Sequence, residues 1–199
     1  MPSQYDEDVY ITRYFNDIND GIVLDVGAYD PILFSNSQKL IEKGWRAVLI
    51  EPSPECFQNI ENYYKDNPNV IVINTAIGTV DGEIEFYNSE GAVATAKQFH
   101  YERWKDTQKD FRKITVPCMT WDTFYKTYPL DYNFINIDCE GMDYEILTQI
   151  PLKDMPFVKM ICVEYNYNPQ KILSYLENCG YTLFHYTAEN YIVIRRRYR

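Results

Sequence analysis

Leu24-Asp-Val-Gly-Ala-Tyr-Asp-Pro31 is a short apolar run that halts at a glycine, and Ile50-Glu-Pro-Ser-Pro54 is a second run that ends on an acid. Each reads as a buried strand whose last residues turn polar. Two such strands joined by a helix make a nucleotide-cofactor half-site. The glycine lets the backbone approach the ligand, and a carboxylate about 20 residues further on binds both ribose hydroxyls. Here Glu51 follows Asp25 by 26 residues. The pair therefore predicts an α/β fold with a cofactor at the strand ends.

The pattern continues on both sides. Residues 5–19 place Val9, Ile11, Tyr14, Phe15 and Ile18 on one helical face. Ser35-Asn-Ser-Gln38 has the form of a capping box for a helix that ends near Lys43, with Gly44 just beyond it. Ser53 and Pro54 start another helix. Val70-Ile-Val-Ile-Asn74 is apolar throughout, which predicts a strand covered on both faces. Asp81-Gly82 marks a tight turn into the alternating Glu83-Ile-Glu-Phe-Tyr87. Further strands are expected at 114–117, 134–138 and 160–164, with helices at 121–128, 142–150 and from Pro169. Two closing strands, near 182–186 and 191–195, look antiparallel. Residues 89–113 lack a period and read as a loop or lid, with a small, flexible stretch from Ala92 to Ala96. Strand–helix alternation of this kind means a mainly parallel sheet with helices on both faces.

The chain's 199 residues fit one domain, with 1–20 as an N-terminal helical segment and 195–199 as a basic tail. A formal charge of −10 argues against nonspecific nucleic-acid binding by the body. Arg195-Arg-Arg-Tyr-Arg199 reverses the sign locally and reads as a solvated terminus, with polyanion binding as the alternative. The five widely spaced cysteines contain no CxxC pair, which removes zinc and thioredoxin-like readings and points to a reducing, cytoplasmic compartment. No signal peptide or membrane-length apolar run is visible. The 19 tyrosines suit a pocket for a polar, flat or sugar-like ligand, or reflect a compositional habit.

Four strand ends carry polar groups: Asp25-Val-Gly27, Glu51, Asp138-Cys-Glu-Gly141 and Glu164-Tyr-Asn166. Gly27 is not followed by the remaining glycines of GxGxxG, and Asp30 would repel a pyrophosphate. The expected cofactor therefore has an adenosine but no phosphates. S-adenosylmethionine fits, because its sulfonium and ammonium groups favour carboxylates.

Taken in order, Asp25-Val-Gly-Ala28, Glu51-Pro-Ser-Pro54, Asn74-Thr-Ala-Ile-Gly78 with Asp81-Gly-Glu83, and Ile137-Asp-Cys-Glu-Gly141 with Glu145-Ile-Leu147 resemble the FkbM family of S-adenosylmethionine-dependent methyltransferases. The resemblance implies a Rossmann-like, class I methyltransferase sheet of seven strands with a C-terminal antiparallel hairpin. It also implies methyl transfer, often to a hydroxyl of a sugar or natural product. Phe34-Ser-Asn36 stands where the family's second glycine region falls. By this resemblance Asp25 and Gly27 meet the methionine part. Glu51 meets the ribose, Ala76 and Ile77 border the adenine, and Ala28, Tyr29, Ser35, Asn36, Pro52 and Asp138 complete the cofactor site, with Ser35 and Asn36 open to cofactor or substrate. Helix capping alone would also explain Ser35.

Methyl transfer to an alcohol needs alignment and a base. Asp138 and Glu140 are the candidates, with His100 as an alternative if the lid folds inward. Glu140, Glu164 and Asn166 are expected to meet the acceptor. A structural role for the acids of 138–140, accepting backbone amides in the following turn, is the bland rival. Asp138, Glu140 and Glu164 also offer oxygen donors of the kind magnesium or calcium takes, but nothing in their spacing demands a metal and none is expected. The partner expected is a small-molecule or glycan acceptor, with neither nucleic acid nor membrane. Three other readings stand beside this one: a cofactor-binding module without turnover, a nicotinamide dehydrogenase disfavoured by the missing glycines, and an RNA ribose methyltransferase using the basic tail. The acceptor's identity and the oligomeric state are not written in the sequence.

Overall fold

In the computed structural model, which describes residues 3–89, 91–107 and 111–196, the two opening strands lie side by side at the centre of a sheet. They are β1 (Ile22–Val26) and β2 (Arg46–Ile50). The other strands are β3 (Val70–Ile73), β4 (Ala76–Ile77), β5 (Gly82–Asn88), β6 (Arg112–Met119), β7 (Phe134–Ile137), β8 (Met160–Glu164), β9 (Tyr181–Tyr186) and β10 (Asn190–Arg195). The helices are α1 (Glu7–Tyr14), α2 (Gln38–Glu42), α3 (Pro54–Tyr64), α4 (Gln98–Trp104), α5 (Trp121–Thr127), α6 (Asp143–Leu147) and α7 (Pro169–Asn178). Seven strands form the main sheet in the order β3-β2-β1-β7-β8-β10-β9. β3, β2, β1, β7 and β8 run parallel, and β10 is antiparallel to both β8 and β9.

Alternation along the strands divides the core between the two faces. Leu24, Val26, Val48, Ile50, Ile135, Ile137, Ile161 and Val163 pack with Trp121, Phe124, Ile146 and Leu176 of α5, α6 and α7. Val23, Ala47, Leu49, Phe134, Met160 and Cys162 face the other way, against Ile11 of α1 and Leu40, Ile41 and Ile60 of α2 and α3. Every residue of β1, β7 and β8 is buried, as expected of strands covered on both faces. β3 departs from the expectation: it is the edge of the sheet and only half-buried, with Ile71 at 42% exposure. Its uniform apolarity therefore does not report double coverage.

Three further results correct the sequence reading. A second sheet, β4-β6-β5, stands outside the main one, its β5–β6 pair antiparallel from Gly82↔Cys118 to Asn88↔Arg112. The 89–113 segment contains α4, and the stretch expected to be flexible is pinned: Thr95 is fully buried and exchanges two backbone hydrogen bonds with Tyr87 (2.8 and 3.1 Å). At the N-terminus the helix is short, and Val9 and Ile18 are exposed rather than on the buried face. Among the described residues no helix is long and apolar enough to cross a membrane. All five cysteines are free.

The basic tail is not simply solvated. Arg195 donates from Nε to Val158 O (2.9 Å) and from Nη2 to Leu152 O (2.8 Å), Met155 O (2.7 Å) and the Tyr181 hydroxyl (2.8 Å). Residues 197–199 lie outside the described residues. Arg195→Met is expected to destabilise the protein by about 2–4 kcal/mol, because three carbonyls and a hydroxyl lose a charged donor. Arg195→Lys should rescue little of this, since a point charge cannot reproduce the planar fork. Urea unfolding of the three proteins measures it, and a lysine variant as stable as the native chain would refute the fork's role.

Candidate functional site

The carboxyl ends of β1, β2, β7 and β8 open onto one cleft of about 1000 Å³, part of it solvent. Between β1 and β7 the chain connections diverge to opposite sides, which is where ligands bind in open α/β sheets.

Asp25 is buried beneath this cleft. Its Oδ1 accepts from Asn136 Nδ2 (2.8 Å) and its Oδ2 from Ser37 Oγ (2.6 Å). Asn136 Oδ1 in turn accepts from Asn36 Nδ2 (3.1 Å). Asp25, Asn136 and Cys162 are paired in register across three strands, so one row of the sheet carries this network. Burial pushes the Asp25 carboxyl up to about 6 despite both hydrogen bonds. Asn136 was not singled out from the sequence. Its signal was there: a polar residue in the middle of Phe134-Ile-Asn-Ile-Asp138 shares the inward phase of Asp138.

Ser35 stands two residues before Ser37, the N-cap of α2, and still bonds the first helical amide. Its Oγ accepts from Gln38 N (3.1 Å), while Gln38 Nε2 reaches forward to Glu42 Oε1 (2.6 Å) instead of back to close the box. The Asn36 side chain is 6% exposed, lines the cleft, and leaves its Oδ1 without a hydrogen-bond partner.

The glycine turn has a purpose beyond the one expected. Gly27 has φ +86, and a Cβ there would lie 1.8 Å from the carbonyl oxygen of Asp138. The glycine admits the β7 turn, and it also lines the cleft. The amides of the turn are also committed: Gly27 N and Ala28 N donate to Ile50 O (3.0 and 3.1 Å), and Tyr29 N to Glu51 Oε2 (2.8 Å). None is left to cradle a phosphate. Asp30 does not repel phosphate from within the cleft, because it does not line it. Its Oδ1 accepts from Ile32 N (2.9 Å) and Leu33 N (2.7 Å), and its Oδ2 from Asn59 Nδ2 (2.9 Å). It thus holds the turn that carries Phe34, whose ring stacks on Tyr29 at 6.3 Å between centroids.

Glu51 ends β2 at 5% exposure. Each oxygen accepts one amide, from Tyr29 (2.8 Å) and Ser53 (2.8 Å), and keeps a lone pair for a ligand hydroxyl. Burial pushes its carboxyl up to about 7, only partly offset by those amides. Pro52, Thr75, Ala76, Ile77 and Ile50 wall the cleft beside it.

On the opposite side Asp138, Glu140 and Glu164 converge. One carboxylate oxygen from each lies within 4.8 Å of the others. Among the described residues no donor reaches the Asp138 carboxylate. Asn166 Nδ2 donates to Glu164 Oε1, and the buried Glu164 carboxyl, held protonated, shares a hydrogen bond with Asp143. Asn166 does not line the cleft and acts as a support for Glu164. Burial and mutual repulsion raise Asp138 well above the carboxylate range, Glu140 to about 8 and Glu164 to about 12. Amide acceptance in the turn falls to Asp143, a residue not anticipated, which takes Cys139 N (2.7 Å) and Gly141 N (3.0 Å). That turn holds Glu140 at φ +50.

His100 lies on α4, 1% exposed, behind Glu140 and outside the cleft lining. Its Nε2 is 3.0 Å from Glu140 Oε2, and its Nδ1 is 2.7 Å from the Tyr167 hydroxyl. Burial, with Arg103 nearby, lowers it to about 4, so the imidazole is neutral at pH 7. The segment does fold inward, and Ala92, Ala94 and Ala96 roof the cleft with small side chains.

Known proteins align with this arrangement. The model of the Methyltransferase FkbM domain matches residues 25–183. Among solved structures, "Putative methyltransferase yhhF from Escherichia coli" superposes with a TM-score of 0.51 at 12% identity, over 98% of this chain and 88% of that one. A "putative caffeoyl-CoA O-methyltransferase from Staphylococcus aureus" gives 0.50 at 12% identity, over 95% and 82%. A "putative RNA methyltransferase PH1948 from Pyrococcus horikoshii" gives 0.50 at 9% identity, over 98% and 87%. At such identities the likeness is one of fold. No curated protein sequence matches the chain.

Proposed function

The chain belongs to the FkbM methyltransferase family, and from that premise we propose that it transfers a methyl group from S-adenosylmethionine to a hydroxyl of a sugar, glycan or other small polar acceptor. The observation that carries the reading is the turn after β1, whose three amides are all spent on Ile50 O and Glu51. With no amide cradle for phosphate, and with carboxylates at four strand ends, the cleft favours a phosphate-free cofactor bearing positive charge. Glu51 offers lone pairs to ribose hydroxyls. Ile50, Ala76 and Ile77 offer an apolar wall to adenine, and Asn36 Oδ1 and Asp138 offer acceptors to an ammonium group.

When bound, S-adenosylmethionine supplies an electrophilic methyl carbon. The chain's own residues then align the acceptor oxygen and remove its proton. Asp138, which no donor among the described residues occupies, takes the acceptor hydroxyl as a hydrogen-bond donor. Nearby positive charge offsets the burial that favours the protonated acid and draws the carboxylate into its ionised form, the form that can take the acceptor's proton. Glu140, backed by His100 and Tyr167, holds the other side of the acceptor. The alanine roof leaves space there, and the acidic walls disfavour polyanions.

Calorimetric titration with S-adenosylmethionine and with its demethylated product tests the cofactor assignment, and no heat at millimolar concentration would sink it. Glu51 adds a pH signature. A carboxyl at about 7 must lose its proton to accept both ribose hydroxyls. Affinity is therefore expected to level off above about pH 8 and to fall by up to about tenfold per unit below 7. In the apo protein the sign is opposite, because a raised carboxyl stabilises the fold at low pH and loses that contribution as pH rises through 7. Glu51→Gln should make both profiles shallower, Asp25 and Glu140 keeping their own share of the slope. An unchanged affinity profile in that variant would remove Glu51 from the ribose site.

A further inference from the structure

Resting on the methyl-transfer reading, we propose that Ile32, Leu33 and Phe34 form an apolar lip at the mouth of the cleft that binds an alkyl or aryl group of the acceptor. The acceptor is then an amphiphile, with an uncharged hydroxylated head and a hydrocarbon part beside it. Ile32, Leu33 and Phe34 are consecutive and 47%, 48% and 41% exposed. Scattered apolar residues on a surface need no explanation, but a run of three at the rim of a ligand cleft does. Phe34 lines the cleft together with Tyr29, so the lip and the cleft are one surface.

The run is built, not loose. Asp30 Oδ1 accepts from the Ile32 and Leu33 amides. From α3, Asn59 Nδ2 donates to Asp30 Oδ2 (2.9 Å) and the Tyr64 hydroxyl to Pro31 O (3.3 Å). Phe34 has φ +61 and Tyr29 φ +49, a region that glycine enters freely and a residue with a ring does not. Strain of this kind persists where the surrounding fold imposes it, and it gathers at ligand clamps. The two rings lie within 21° of parallel at the cleft edge. Aromatic faces presented in this way suit a flat or chain-like hydrocarbon.

Area and charge choose the occupant. Roughly half of three side chains of about 200 Å² each leaves on the order of 300 Å² of apolar surface. A stable protein partner, a second copy of this chain included, buries about 800 Å² on each side. The lip falls well short of that and matches an alkyl chain or an aryl ring. From Ala28 to Asn36 the one charged residue is Asp30, and both its oxygens are engaged. The lip therefore offers no partner to an ionic group. Behind it the cleft carries Asp138 and Glu140, and the whole chain has a formal charge of −10, which disfavours an anionic head or an anionic membrane. The hydrocarbon stays on the lip while the hydroxylated head enters the cleft that holds Asp138.

The test titrates the full chain with N-phenyl-1-naphthylamine, a neutral apolar dye whose emission rises out of water. Excess S-adenosylhomocysteine is present to keep the dye from the adenosine end of the cleft. One saturable site per chain is expected, and the double variant Ile32→Ser with Leu33→Ser should weaken it about tenfold. Phe157→Ser, just before β8 at the other end of the sheet and 48% exposed, should not change it. Octyl β-glucoside below its micellar concentration should displace the dye. Methyl β-glucoside, which lacks the chain, and octyl sulfate, which has an anionic head, should each require at least about tenfold more. No saturable site, an affinity unchanged by the double variant, or equal displacement by either control compound overturns the proposal. So does a dimer in sedimentation, or retention on phosphatidylcholine vesicles, that the double variant abolishes, since either names another occupant. Lip-dependent dye binding with no cofactor binding refutes methyl transfer alone, and cofactor binding with no lip-dependent dye binding refutes the lip alone.

Discussion

Gly27→Ala is expected to lower stability by about 2–6 kcal/mol and to abolish cofactor binding. Two costs combine. The residue sits at φ +86, where a side chain is strained, and its Cβ would lie 1.8 Å from the Asp138 carbonyl oxygen and 2.9 Å from its carbon. The obstacle is backbone, so no rotamer change relieves it. Relief requires β1 and β7 to part at the point where Asp138 N donates to Val26 O (3.0 Å). Gly44→Ala is the control. Gly44 has φ +97 with nothing within 4 Å of its Cβ position, so it reports conformational strain alone, about 1 kcal/mol. Urea unfolding of both variants, with calorimetry on whichever folds, measures the difference. Equal losses would mean that the close approach carries no weight.

The second large effect concerns turnover. Asp138→Asn keeps the shape of the side chain and removes its capacity to take a proton. Once an acceptor is found by screening hydroxylated compounds for release of the demethylated cofactor, the variant should lose about 10²–10⁴-fold in kcat. KM for the acceptor should move far less. Transfer at the native rate would remove Asp138 as the base. Absence of transfer to every acceptor, with cofactor binding intact, would favour a binding module without turnover.

Much of the architecture was legible because strands buried on both faces write themselves as uninterrupted apolar runs. β1, β2, β7 and β8 were readable within a residue or so, and their polar last residues marked the cleft. What could not be read depends on approaches between distant segments. The β5–β6 pairing and the place of α4 have no local period. Asp30 and Asp143 look alike in sequence to ligand-binding acids, yet each is spent on nearby amides. Asp138, of the same residue type and three residues past the apolar Ile135, stays open. A carboxylate's role is decided by which amides reach it first, and only the folded turn fixes that. Val70–Ile73 misled for a related reason: apolar composition reports a strand's core contacts but not whether a neighbour lies beyond it.

The Asp25–Asn136–Asn36–Ser37 network has a consequence for the order of folding. Two of its hydrogen bonds join residues 111 and 100 positions apart, so neither forms until the two halves of the sheet have met. Closing loops of such length is entropically costly and slow. Partly folded chains, with the β1–β2 half assembled but β7 not yet docked, would then carry Glu51 in place and lack the floor of the cleft. Competence to bind therefore depends on that docking, and a bound ligand stabilises only chains that have completed it.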